Sequence, residues 1–378
     1  MKILFVIKTL TYSAGGAERM VSSLAGALSK NNDVHLLTFD DNGAKPFYPL
    51  DPAVRRHFVS THSAAKKTGL FEYPSLLLRL RRQIRDIRPD IVVAFMHSAF
   101  VPVQCALLGT GIKVVLSEHT VPAYYQTRKL EFFLLRFFGL FASAATVSSE
   151  CIRKLYPWPL RNKMTVLPNI IDSDFIRPAS TAMEAAKKRI LSVGRLNADK
   201  DHAVLIEAYA LLAHDFPDWE LVILGEGEER LNLERRIEAH GLQGRIKLPG
   251  TTQDMDVAYK QAQIFVQPSR YESFGLVTAE AMTHGLPAIG FEDCSGTNEI
   301  IIQEYNGLLV AKRSADSLAA SLKLLLQSPS LRGAYGDNAY EYAVANFSKE
   351  NVVAAWMDYL AQICGVSSIA NGNNSADA

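Results

Sequence analysis

Two series of aliphatic strands spaced by helices, with one irregular break between them, constrain this chain more than any other feature. "KILFVI" (2–7) runs through the glycine turn of "TYSAGGAERM" into the helical "ERMVSSLAGALSK". "DVHLLTF" follows, then a long basic helix at 75–88 and the runs "DIVVAF" (90–95), "KVVLSEH" (113–119), "AATVSS" (144–149) and "MTVLPN" (164–169). "IDSDFIRPASTAMEAAKK" (171–188) has Pro178, small residues and no periodicity, and reads as a linker. The rhythm restarts with "RILSVGR" (189–195), "ELVILGEG" (220–227), "RIKLPG" (245–250), "IFVQPS" (264–269), "LPAIGF" (286–291) and "NGLLV" (306–310). Helical patterns fill the gaps at 201–213, 229–240, 254–262, 276–284 and 315–327. Strands separated by helices pair in parallel, and continuous apolar runs are strands covered on both faces. The fold class expected is therefore α/β, with two Rossmann-like, doubly wound domains over 1–171 and 172–348. A last helix (349–363) is expected to pack back on the first domain, and the polar tail (364–378) to be disordered. Ligands of open α/β sheets bind beyond the carboxyl ends of the strands, so two such sheets facing each other would share a cleft.

Length supports this division, because 378 residues are generous for one core and comfortable for two. Four dispersed cysteines (Cys105, Cys151, Cys294 and Cys364) form no C-x-x-C pair, which argues against a metal ribbon or a disulfide framework and fits a reducing cytosol. "MKILFVIKTL" is broken by Lys8 and lacks the pattern of a secretory leader, and "FFLLRFFGLFASAATV" (132–147) is too short, with Arg136 inside, to read as a membrane span. Charge is divided unevenly. Residues 1–172 hold 22 Lys and Arg against 12 Asp and Glu, and the remainder holds 18 against 27. The first half is thus expected to meet something anionic, a membrane surface or a phosphate-bearing acceptor, and no nucleic-acid partner is expected.

Five segments at strand ends carry candidate chemistry. In "RYESFGLVTAEAMTHGLP" (270–287), Glu272 precedes a helix opened by Phe274, Gly275 and Leu276, and Glu280 lies one turn further in. The free amides of such a first turn suit a phosphate, and Gly275 allows close approach. Glu272 could equally serve only the helix dipole. In "SVGRLNADKDH" (192–202), Arg195 and Lys200 together suit a diphosphate, although each alone would pass for a solvated cation. Gly15 and Gly16 in "SAGGAER" (13–19) lack the G-x-G-x-x-G spacing of a dinucleotide fingerprint. "SEHT" (117–120) places His119 at a strand end, and "GEGEER" (225–230) places glycines and acids there.

In order and spacing, "GGAER", "SEHT", "LPNIID", "SVGRL…DK", "GEGEE" and "SRYESFGLVTAEAMTHGLP" resemble the retaining glycosyltransferases of family 4, which have the GT-B fold; the likeness runs over about residues 1–363. The last segment matches the family's E-x7-E signature. The resemblance implies a nucleotide-sugar donor held mainly by the second domain. Arg195 and Lys200 would grip its diphosphate, with backbone amides from Phe274, Gly275 and Leu276. Glu280 would take the ribose and Glu272 the hydroxyls of the transferred sugar. His119 would approach sugar and phosphate, Gly15 and Gly16 would flank the donor, Thr252 would meet the base, and Asn169 and Glu226 carry over more loosely. One departure is Asp201, whose charge would partly offset that of Lys200. "EDCSGTNEIIIQEYNGLLV" (292–310) resembles members that build bacterial surface polysaccharides such as lipopolysaccharide and O-antigen.

The activity implied is transfer of a hexose or N-acetylhexosamine from a UDP-sugar, or from GDP-mannose, to a glycan or lipid-linked oligosaccharide with retention of configuration. No cofactor or metal is expected, because "DSD" (172–174) lies in the linker and the cations can serve the leaving diphosphate. The place of work implied is the cytoplasmic face of the inner membrane. "RLRRQIR" (79–85) and "TRKLEFFLLRFFGLF" (127–141) would supply a peripheral anionic-membrane contact, unless Phe132, Phe133, Phe137 and Phe138 are all core. A GT-B sugar-nucleotide epimerase or phosphorylase, and a non-catalytic sugar-nucleotide-binding protein, are the alternatives.

Overall fold

The computed structural model describes residues 1–11, 15–59, 72–171, 188–252 and 254–366. The linker is therefore outside the described residues apart from its two end positions, and so is the tail beyond Val366. The chain divides into two compact units, residues 1–170 together with the segment from Lys349, and Ile171–Ser348. The boundary falls one residue earlier than the sequence suggests. Ile171 is buried in the second unit's core, and its amide donates to the Phe347 carbonyl at 3.1 Å.

The first unit is built on seven strands: β1 (Lys2–Ile7), β2 (Asp33–Thr38), β3 (Arg55–Phe58), β4 (Ile91–Phe95), β5 (Val114–Glu118), β6 (Ala144–Val147) and β7 (Met164–Val166). All pair in parallel in the order β3-β2-β1-β4-β5-β6-β7. The two-residue period of a strand sends Leu4 and Val6 to one core and Ile3, Phe5 and Ile7 to the other. The helix Lys349–Cys364 belongs to the second of these cores, where Val352, Trp356 and Leu360 are buried. Its Tyr359 hydroxyl donates to the Ala145 carbonyl at 2.9 Å.

The second unit repeats the plan with β8 (Arg189–Val193), β9 (Glu220–Leu224), β10 (Ile246–Gly250), β11 (Ile264–Gln267), β12 (Ala288–Phe291) and β13 (Gly307–Val310). Their order is β10-β9-β8-β11-β12-β13, again all parallel. In both sheets the order reverses beside the first strand, so a crevice opens at the carboxyl ends of β1 and β4 in one unit and of β8 and β11 in the other. Two glycines let β8 and β9 stay close at that end. A Cβ on Gly225 would lie 1.9 Å from the Gly194 carbonyl oxygen, and one on Gly227 would lie 2.2 Å from that of Leu196.

Candidate active site

In the second unit the sequence candidates converge on the carboxyl edge of the sheet. Arg195 and Lys200 follow β8, Glu226 follows β9, Thr252 follows β10, and Glu272 follows β11. Lys200 and Glu272 are joined directly, the Lys200 ammonium donating to Glu272 Oε1. The same oxygen accepts from Gln267 Nε2 and from Ser269 Oγ, each at 2.8 Å. Three donors on one oxygen hold the carboxylate, while Oε2 accepts no hydrogen bond among the described residues. Gln267 and Ser269 are fully buried, so this orientation is built in before any ligand arrives. Sequence reasoning missed Gln267, although a polar residue inside the buried run "IFVQPS" was a usable signal.

The helix Leu276–Thr283 starts at Gly275, which has φ +89°. That left-handed conformation suits glycine and turns the chain from the Glu272 loop into the helix. Phe274 contributes only its backbone to the edge, because its ring is buried against Phe347 with centroids 5.2 Å apart. Glu280 is more enclosed than its expected contact with a ribose suggests. It is 5 % exposed, and its Oε2 accepts from the Tyr259 hydroxyl at 2.8 Å.

Arg195 is exposed and has no side-chain partner among the described residues. Glu226 is held in a two-point ion pair with Arg230, at 2.6 and 2.8 Å, and this pairing lowers its pKa. Thr252 is exposed, and its hydroxyl accepts from the Asp254 amide at 3.1 Å. The expectation that Asp201 offsets Lys200 meets a different arrangement: its carboxylate is taken by Arg270 at 2.8 Å and Arg313 at 3.4 Å.

In the first unit, Gly15 and Gly16 open the helix Gly16–Leu28 after β1, with Gly15 extended at φ −81°. Asn169 is buried, and its Oδ1 has no hydrogen-bond partner among the described residues. His119 follows β5. Its ring stacks on Phe95 at 5.2 Å, and Nε2 lies 3.0 Å from Ser117 Oγ. Burial pushes this imidazole down to about 4, so it is neutral at pH 7. The turn is held by the neighbouring Glu118, whose Oε1 accepts the amides of His119 at 3.1 Å and Thr120 at 2.9 Å. Glu118 is fully buried, and desolvation raises its carboxyl to about 7. Its Oε2 meets the Tyr125 hydroxyl at 3.1 Å, that hydroxyl meets His97 Nδ1 at 2.8 Å, and His97 Nε2 lies 3.2 Å from Glu131. This network was not anticipated, because its members are scattered over 97–131 and only the topology assembles them.

Comparison with known proteins gives consistent matches. The family model described as "Glycosyltransferase Family 4" matches residues 14–175, and that described as "Glycosyl transferases group 1" matches 175–342. An uncharacterized glycosyltransferase of Haemophilus influenzae is 27% identical over 92% of this chain and 97% of its own length. The N-acetylgalactosamine-N,N'-diacetylbacillosaminyl-diphospho-undecaprenol 4-alpha-N-acetylgalactosaminyltransferase of Campylobacter jejuni is 28% identical over 92% of this chain and 96% of its own. Among solved structures, Anabaena HepE in complex with UDP superposes with a TM-score of 0.79 at 18% identity, covering 96% of this chain and all of that one.

Proposed function

Because the chain belongs to the family 4 glycosyltransferases and has the GT-B fold, we propose that it transfers a hexose or N-acetylhexosamine from a UDP-sugar to a glycan or lipid-linked oligosaccharide of a bacterial surface polysaccharide, with retention of anomeric configuration. The observation that carries this reading is the three-donor grip on Glu272 Oε1 at the switch point of the second sheet. A carboxylate oriented through one oxygen presents the other to sugar hydroxyls at a fixed angle. Arg195, exposed after β8 and without a side-chain partner among the described residues, is a cation that can meet the diphosphate. Lys200 lies between the two roles, neutralising Glu272 before the donor binds and sharing its charge with the phosphate afterwards. The amides around Gly275 add donors at a helix N-terminus. As the glycosidic bond breaks, charge builds on the leaving diphosphate, and cations and amides already in place stabilise it without reorganising. Neutral His119 suits a hydrogen bond to a sugar hydroxyl rather than a charge contact.

The Campylobacter relative, named for a diphospho-undecaprenol acceptor, favours a lipid-linked acceptor here. The helix Lys129–Gly139 supports such a site of work. Phe132, Leu134 and Phe138 pack on the core and Leu135 is buried, so the sequence alternatives divide by face. The outer face shows Leu130 at 70 %, Phe133 at 62 % and, nearby, Trp158 at 66 % exposure, together with Phe137 and Phe141. Residues 124–163 carry seven Lys and Arg against two acids, both of them ion-paired. An aromatic face rimmed by cations fits the anionic leaflet of the inner membrane on its cytoplasmic side. On the basic helix Tyr73–Ile87, Arg79, Arg82 and Arg85 are exposed, whereas Arg81 donates to the Ala106 carbonyl at 3.3 Å.

The test is thermal-shift screening against UDP- and GDP-sugars, followed by product analysis with and without acceptor. A native-state ligand raises the melting temperature. Stabilisation by a UDP-sugar and glycosyl transfer support the reading. A changed sugar nucleotide formed without an acceptor would favour an epimerase instead.

A further inference from the structure

Arg313 stands three residues beyond β13, outside every motif, with its side chain 13% exposed. Its guanidinium touches the ends of three other strands. Nη1 donates to the Pro268 carbonyl at 2.7 Å, and Nη2 donates to that of Ser269 at 2.9 Å. Nε and Nη2 pair with Asp293, the former at 3.0 Å, and Nη1 lies 3.4 Å from Asp201 Oδ2. The guanidinium carbon sits 4.1 Å from the ring centroid of Phe291. Pro268 and Ser269 follow β11, Asp201 follows β8, Phe291 ends β12 and Asp293 follows it, and Arg313 follows β13.

Two of these contacts adjoin the candidate site. Asp201 is the residue after Lys200, and Ser269 is a donor to Glu272. At the switch point β8 and β11 diverge, so carbonyls just past β11 lie where the sheet ladder stops. Besides the Lys200–Glu272 contact, Arg270 joins the two loops through its amide, which donates to the Asp199 carbonyl at 2.7 Å, and through its side chain, paired with Asp201 at 2.8 Å. Arg313 adds an anchor from a third loop, holding two carbonyls after β11 and the Asp201 carboxylate after β8 at once. We propose that Arg313 is a positioning residue, setting the spacing of Lys200 and Glu272 by locking the loops after β8 and β11. A guanidinium can do this because its planar fork holds two carbonyls and two carboxylates in fixed directions. An ammonium keeps the charge but not the fork. Misplacing reacting groups by a small distance slows the chemical step while leaving most ground-state binding intact.

This inference rests on the proposed glycosyl transfer. Its test is steady-state kinetics of the full chain carrying Arg313→Lys or Arg313→Met, with melting temperatures measured alongside. Both folded variants should lose at least about tenfold in kcat while the donor KM stays within about threefold. A merely structural role would lower the melting temperature without that split, and wild-type kcat in folded Arg313→Lys overturns the inference. Should neither variant fold, Asp293→Asn loosens the same guanidinium from its exposed side. A fall in kcat at constant KM then supports the proposal, and unchanged kcat overturns it. Transfer by the wild type with an indifferent Arg313→Lys leaves the transferase reading standing. Absence of transfer by the wild type from any donor overturns that reading and this inference together.

Discussion

Glu272 keeps the shape of its site in Glu272→Gln but loses the charge that meets Lys200. An amide accepts on one atom only, so the three-donor grip and the free sugar-facing oxygen cannot both persist. Transfer should fall at least about tenfold, equivalent to roughly 1.4 kcal/mol of transition-state stabilisation, in a protein that remains folded. Wild-type turnover in the folded variant would remove Glu272 from the site. Glu118 gives a prediction about stability. Its carboxyl stands at about 7 in the fold against 4.5 when unfolded, because burial favours the neutral form. The resulting stabilisation is fully present below pH 4.5 and is lost as pH rises through about 7, a change of roughly 3 kcal/mol at most. Denaturant titrations from pH 4 to 8 should show this decline in the wild type relative to Glu118→Gln, in which the position cannot ionise. Parallel curves would mean that the carboxyl titrates alike in both states. The E-x7-E pair, Arg195 and Lys200 were legible in the sequence because motifs compress chemistry into short segments. The pairing of Asp201 with Arg313 was not, since it spans 112 residues; Gln267 was missed although its partners Ser269 and Glu272 lie within five residues.

At the scale of elements, glycines decide how closely the loops of the second sheet approach. Gly275→Ala forces a left-handed conformation on a side-chain-bearing residue and brings Cβ within 3.4 Å of Ile300 Cδ1. About 1–2 kcal/mol of stability should be lost, with reduced turnover as the turn carrying Glu272 shifts. Urea denaturation checks the first and donor kinetics the second; an unaffected variant would show that the turn tolerates a side chain. The strands were readable because continuous aliphatic runs have few other fates in an α/β chain. β3 was not, because "RRHF" is a short, polar strand at the sheet edge, paired with β2. The helix Pro329–Phe347 was missed because its apolar residues form no single stripe and Gly333 and Gly336 interrupt it. Its start was marked all the same, by Ser328 capping the Leu331 amide and by Pro329 in the first turn.

At the scale of the whole molecule, the positive first half and the aromatic outer face of Lys129–Gly139 predict flotation with vesicles containing anionic lipid. Binding should weaken with salt, which screens the cations, and should drop when Phe133, Phe137 and Trp158 are changed to serine. Failure to float at low salt would leave a soluble acceptor as the better account. Transfer is also expected to persist in excess EDTA, since in the proposed reading Arg195, Lys200 and helix amides serve the leaving diphosphate. Loss of activity restored by one added metal would contradict that. The central claim, retaining transfer from a UDP-sugar, is met most directly by determining the anomeric configuration of the product. Purified protein is given an α-linked UDP-sugar and a lipid-linked oligosaccharide acceptor, and the new linkage is read from its anomeric proton coupling by NMR. The account predicts an α-linked product with release of UDP. A β-linked product would contradict it.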